Sequence, residues 1–268
     1  YHIPVETKFA YQPPLFDGVG QVERLNVRRA PSVAQKFAHD YACRLNIPPE
    51  KAALRADMVS PVSYQDYVPK LLTKMEALDG FRDAADRICE AIRSGKKIGI
   101  SADYDCDGNT SAAVFIRMLR MCGVPREHIE IHIPNREAEG YGVNSSAVDA
   151  FKNKKVGMMI TLDNGTMAHG PLKDAVAAGM EVVVLDHHGD SADITPPVGV
   201  HIVNPNTTAN KTIIAANPEL EETKSMAAVG VSYMMAAEVM KRMKCKDDPK
   251  SLLGLVALGT VSDVVPMD

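Results

Sequence analysis

No C-x-x-C pair occurs in this 268-residue chain, and its five cysteines (Cys43, Cys89, Cys106, Cys122 and Cys245) leave one over. Both facts argue against a disulfide framework or a zinc ribbon and favour a reducing compartment. No apolar run reaches the roughly 18 residues a membrane span requires, and no signal-peptide pattern opens the sequence. An excess of positive charge is missing too. With a net charge of −4, the bulk composition advertises neither nucleic acid nor an anionic membrane as a partner. The expectation is a soluble, cytoplasmic protein with no membrane partner. Because it begins at Tyr1 rather than Met, a fragment or processed form is expected.

Hydrophobic residues make up 46% of the chain and charged residues 24%, an ordinary globular balance that supports a large core in one or two domains. Prolines at 4, 13, 14, 31, 48, 49 and 61 break the opening stretch, where only Ser32 to Leu45 reads as helix. Residues 1–66 are therefore expected to form an irregular or helical N-terminal extension. Helical spacing runs from Tyr67 to Ser94 with a break at Gly80. Strand and helix patterns then alternate: strand Lys97 to Ala102, helix Thr110 to Cys122, strand Glu130 to Ile133, helix Ser145 to Phe151, strand Val156 to Leu162, helix Pro171 to Ala178, and strands Glu181 to Leu185 and Val200 to Val203. Such alternation implies right-handed crossovers and a parallel sheet. "VGMMITL" and "EVVVL" are continuous apolar runs, as expected of strands covered on both faces. Residues 204–224 read as a long polar loop, followed by a helix from Met226 to Met243 and another starting near Pro249.

Polar groups gather at three of the strand ends. The first strand pattern ends in "ADYDCDG" (Asp103, Asp105, Asp107), the third in "LDNG" (Asp163) and the fourth in "LDHH" (Asp186, His187, His188). In open α/β sheets, ligands bind beyond the carboxyl ends of the strands. For these ends to converge, strands one, three and four must be neighbours, which gives the order 2-1-3-4-5. The fold class is thus α/β, a doubly wound, mostly parallel five-stranded sheet flanked by helices and followed by a C-terminal helical segment. Asp263, set among valines in "GTVSDVVP", is a costly carboxylate unless paired or metal-bound and is a candidate last ligand. Taken singly, Asp and Gly after a strand commonly make a turn. Three such clusters together point to a metal site. Carboxylate mixed with imidazole suits Mn²⁺ ahead of Mg²⁺, and four or more aspartates allow two ions roughly 3.5–4 Å apart, with Asp163 placed to bridge them. Cys106 reads as a spacer, and His128, His132, His169 and His201 as surface or structural residues.

These four stretches, in this order, resemble the motifs of the DHH phosphoesterase superfamily, and "IPNREAEGYG" (residues 133–142) resembles its RecJ-like exonuclease branch. The resemblance covers residues 67–268, read as one catalytic domain. It implies hydrolysis of phosphodiester bonds from the 5′ end of single-stranded DNA, with water activated by two Mn²⁺ or Mg²⁺ ions. It implies that Asp107, Asp163, His187 and Asp263 hold one ion. Asp105 and Asp163 would hold the other, with Asp103 in attendance. His188 would face the scissile phosphate, Arg136 would contact nucleic-acid phosphate, and Asp186 would orient its neighbours without binding metal. Relatives continue into a second domain that closes the cleft, which is expected to be absent from this chain. Three alternatives remain open: another DHH phosphoesterase acting on oligoribonucleotides, cyclic dinucleotides or pyrophosphate; a non-catalytic nucleic-acid-binding scaffold of the same fold; and, through a loose match of "DCDGNT", a haloacid-dehalogenase-like phosphatase. For Arg136, an ion pair with Glu137 or Glu139 is the structural alternative.

Overall fold

The computed structural model describes residues 61–137, 139–191 and 196–265, with backbone alone over 61–66. The helix expected over Ser32 to Leu45 lies outside the described residues. The first element, α1 (Pro61–Ala77), runs across the 66/67 boundary. It is followed by α2 (Phe81–Arg93), β1 (Ile98–Ala102), α3 (Cys106–Met121), β2 (Ile129–His132), α4 (Ser145–Asn153) and β3 (Met158–Leu162). Then come α5 (His169–Ala177), β4 (Glu181–Leu185), β5 (Val200–Val203), α6 (Thr208–Ala216), α7 (Ala228–Arg242) and α8 (Leu253–Ser262). The break at Gly80 has a steric cause. Its φ is 83° and an added Cβ would lie 2.2 Å from the Ile202 carbonyl oxygen, so only glycine lets the α1–α2 turn sit on β5.

The sheet is wholly parallel in the order β2-β1-β3-β4-β5, with Ile100 opposite Ile160 and Leu162 opposite Leu185. β1 and β3 are buried at every position, which explains why their sequences run apolar without alternation. Their side chains still alternate between faces. Met158, Ile160 and Leu162 enter a large core with Phe81, Phe115 and Tyr233, whereas Met159 joins a smaller one with Phe151, Leu172 and Val184. The first core is roofed by α1, α2, α3, α7 and α8 and the second by α4 and α5. The connections therefore change face between β1 and β3, and a crevice opens above that pair. α7 is buried along Ala228–Met240, as a helix packed on all sides must be.

Two expectations need correction. Residues 204–224 are no long loop, because they contain α6 and a 3₁₀ segment over Pro218–Ser225. Thr207 caps α6 by accepting from the Asn210 N–H, and the buried Asn210 side chain donates to the Asn204 carbonyl and accepts from the Asp79 N–H at 2.8 Å. Tertiary partners thus satisfy a stretch whose Asn and Thr content reads as irregular. The helix expected from Thr110 begins at Cys106, since Asp105 serves as its N-cap.

Candidate metal centre

Asp103, Asp163 and Asp186 are each the first residue past a strand, and each still uses its N–H in the ladder, donating to Leu162, Leu185 and Val203 respectively. Three carboxylates are thereby set in a row across β1, β3 and β4, and all three are buried. Asp163 also carries a φ of 62°, a left-handed conformation that Asp adopts more readily than most residues and that recurs at functional sites.

After β1 the chain turns directly into α3. Asp105 caps it through a hydrogen bond from the Gly108 N–H, and Gly108 lies so close to Asp103 that a Cβ would come within 2.4 Å of the Asp103 carbonyl oxygen. Asp107, in the first turn, is buried with both carboxylate oxygens accepting backbone N–H groups of α7, from Ala228 at 2.7 Å and Val229 at 2.9 Å. The positive end of that helix favours a negative charge there.

His187 is the hub. Its Nε2 lies 3.4 Å from Asp163 Oδ1 and 3.9 Å from Asp107 Oδ2, and its Nδ1 lies 3.7 Å from Asp263 Oδ2. Ligand atoms fall into three groups, each within 4.8 Å: Asp103 with Asp105 and Asp163, Asp107 with His187 and Asp263, and Asp163 with His187 and His188. Asp163 and His187 each serve two groups. Seven of the eight acidic and imidazole residues read from the four motifs are thus brought together, with Asp186 outside the three groups. Asp103 Oδ1, Asp163 Oδ1 and His187 Nε2 are buried without a hydrogen-bond partner, and such atoms are rare unless something else satisfies them. An oxygen-rich set with one imidazole hub fits hard or borderline divalent ions.

The electrostatics agree. Burial pushes the Asp163 carboxyl up to about 7, with Asp107 and Asp105 adding to it against the opposing His187. Burial likewise lifts Asp107 to about 6, against the N–H groups of Val229 and Ala228. Asp103 and Asp263 are also raised by burial. Burial would lower His187, but the neighbouring Asp163 and Asp263 carboxylates outweigh it and raise its pKa. Without a cation this is a cluster of acids that resist ionising together.

Asp186 behaves differently. Burial works against its charge, yet contacts from His188 and Thr166 hold its pKa below the ordinary range. Its carboxylate accepts the N–H groups of Thr166, His187 and His188 and lies 2.7 Å from His188 Nδ1. It therefore orients both histidines, and its contact pushes His188 up to about 9. The His188 side chain is half exposed, and this contact favours its protonated form.

The sequence reading missed a supporting layer. Asn204 Nδ2 donates to the His188 carbonyl and to Thr166 Oγ1, and Asn206 Nδ2 donates to the His187 carbonyl. Tyr141 Oη lies 3.3 Å from the Asp163 carbonyl oxygen and 3.3 Å from His188 Nε2. The Asn-Pro-Asn stretch at 204–206 was the available signal, and its polarity read as a loop. Arg136 lies on the rim, exposed, with its guanidinium carbon 5.3 Å from the centre of the Tyr104 ring. Among the described residues it forms no ion pair with Glu137 or Glu139; Glu139 instead faces His132.

Fold and site together define a class: an open parallel α/β sheet with a carboxylate–imidazole centre of metal-ligand type over the point where its connections change face. The model of the DHH family, N-terminal domain, matches residues 97–260, and the chain belongs to that family. It is 35% identical over 205 residues to the single-stranded-DNA-specific exonuclease RecJ of Salmonella typhimurium, covering 72% of this chain and 33% of that protein. It is 34% identical over 192 residues to the RecJ of Thermus thermophilus, covering 71% of this chain and 26% of that protein. A crystal structure of exonuclease RecJ bound to manganese superposes with a TM-score of 0.58 at 33% identity, covering 70% of this chain and 44% of that one. The crystal structure of Thermus thermophilus RecJ in complex with Mn²⁺ gives a TM-score of 0.55 at 30% identity, covering 70% and 25%. The chain spans 22% to 36% of the length of the curated RecJ relatives it matches. Among the described residues no helix is long and apolar enough to cross a membrane.

Proposed function

We propose that this chain carries the catalytic centre of a metal-dependent phosphodiesterase that degrades single-stranded DNA from its 5′ end. The observation that carries the reading is the set of buried, unpartnered ligand atoms on Asp103, Asp163 and His187 in one crevice, in a chain whose relatives are named RecJ. Asp107, Asp163, His187 and Asp263 would hold one cation, and Asp103, Asp105 and Asp163 a second. Mn²⁺ is the first choice and Mg²⁺ the next. Bound there, divalent ions lower the pKa of a water nucleophile and neutralise charge on the phosphoryl oxygens.

The remaining work falls to the chain. His188, kept protonated by Asp186, presents a cation to the scissile phosphate, where negative charge develops during attack. Asp186, Asn204 and Asn206 hold the two histidines in place. Arg136 on the rim offers a bidentate fork for a backbone or terminal phosphate, with its guanidinium seated over Tyr104. The location that goes with this reading is the cytoplasm.

The test is hydrolysis of end-labelled single-stranded DNA with Mn²⁺, comparing 5′-phosphorylated with 5′-blocked oligonucleotides beside Asp163→Ala. Release of mononucleotides from the free 5′ end, lost in the variant, is the expected result. Intact DNA alongside cleavage of a dinucleotide or pyrophosphate would transfer the reading to another DHH phosphoesterase. Metal binding with no cleavage of any of these would overturn the assignment of activity to this chain.

A further inference from the structure

Away from the crevice, α3 and α7 each end in a hydrogen-bonded cap, and each cap carries a cysteine. At the end of α3, Cys122 is the C-cap, and Gly123 and Val124 donate back to Arg120 and Leu119. At the end of α7, Lys244 takes φ 53°, and Lys244 and Cys245 donate back to Lys241 and Met240. Both are the paired closing bonds of the Schellman motif, which locks the backbone after the last turn. The two sulfurs, 123 residues apart in sequence, lie 2.6 Å from each other. Neither residue sits on a loose tail, so their meeting is built by two rigid helix ends.

Access exists on one side. A hollow of about 70 Å³ is lined by Cys122, Ile92, Lys96, Val124 and His128, and the buried Nδ1 of His128 has no hydrogen-bond partner. That volume is room for one or two water-sized molecules. Both cysteines are only partly buried.

We propose that Cys122 and Cys245 form a site of oxidative modification, closing a reversible intrachain disulfide on reaction with hydrogen peroxide. The Cys122 thiolate attacks one peroxide oxygen; the O–O bond breaks, the sulfur becomes a sulfenic acid and the second oxygen leaves as water after taking a proton. Cys245 then attacks the sulfenic sulfur, the S–O bond breaks, and a second water leaves with the Cys245 proton. Two thiols and one peroxide give one disulfide and two waters. Burial, with Cys245 alongside, lifts the Cys122 thiol well above its ordinary range, so little thiolate exists at neutral pH and the reaction is slow. Fifteen residues of helix place Cys122 about 22 Å from Asp107, which keeps the bridge clear of the metal centre. The bridge forms whether or not the chain hydrolyses DNA.

The experiment treats the native full chain with hydrogen peroxide, quenches in acid, alkylates the remaining thiols and maps the peptides by mass spectrometry. The expected product is a Cys122–Cys245 linked peptide, cleaved by dithiothreitol and absent from Cys245→Ser. The bridge should also raise Tm by on the order of 10 °C, because it closes a long loop. Recovery of both residues as alkylated thiols overturns the proposal. So does over-oxidation of Cys122 without the link, or cross-linking through the exposed Cys106 in its place.

Discussion

β3 and the residue just beyond it show two regimes of the same strand. From Met158 to Leu162 every side chain is buried, apolar or hydrogen-bonded, and paired in register on both sides. One residue later Asp163 is equally buried but acidic, left-handed in φ, and has a carboxylate oxygen without a partner. Burial stabilises the first region and opposes the ionised form of the second. The contrast teaches that the body of the sheet supplies free energy and its crest holds a group that folding alone would not choose.

The sharpest way to break the comparison is Asp163→Asn, which tolerates the left-handed φ but removes the charge. Activity on single-stranded DNA should fall by at least about 10³-fold, while metal-free stability in thermal melts should hold or rise. A fall in stability would mean the carboxylate is structural. Next, Ile160→Ala in the body of the strand should cost about 2–5 kcal/mol in urea unfolding, with Mn²⁺ affinity of the folded fraction unchanged.

A pH series sharpens the difference without mutation. Asp107 and Asp163 have folded pKa values of about 6 and about 7, both above the ordinary carboxylate range. Between pH 4 and 7 the folded state binds more protons than the unfolded state. Their stabilisation is therefore complete below about pH 4 and lost as pH rises through about 6 to 7, by on the order of 3 to 4 kcal/mol for each group. The raised His188 extends the same sign towards pH 9. Metal-free protein should thus melt at progressively lower temperature from pH 4 upward, and saturating Mn²⁺ should reverse the trend. A flat profile would remove the electrostatic case for a cation. The smallest effect is expected at Asp186→Asn, which leaves every proposed ligand in place. A loss of about 10–100-fold in activity should come with a fall in the His188 pKa, readable by NMR titration of the imidazole.

Legibility differed between these regions for physical reasons. The sheet order could be read before the structure because three polar strand ends had to meet, and ladder neighbours are the way they do. Asp103, Asp163 and His187 were legible because a charged or imidazole group after a buried strand is locally anomalous. Asn204, Asn206 and Tyr141 were not, since an amide or a phenol in a polar stretch looks the same whether it faces water or holds a histidine. The missed helix α6 has the same cause: the Asn210 amide that anchors it finds Asp79 across 131 residues.

By itself the sequence determined which segments are strands buried on both faces and which chemical groups follow them, because burial pattern and side-chain type are local properties. Only the tertiary structure decided that α7 presents its N-terminal N–H groups to Asp107, and that Asn204 and Asn206 hold the carbonyls of His188 and His187. Those are matters of distance between remote segments, and distance in a folded chain is set by how its helices pack.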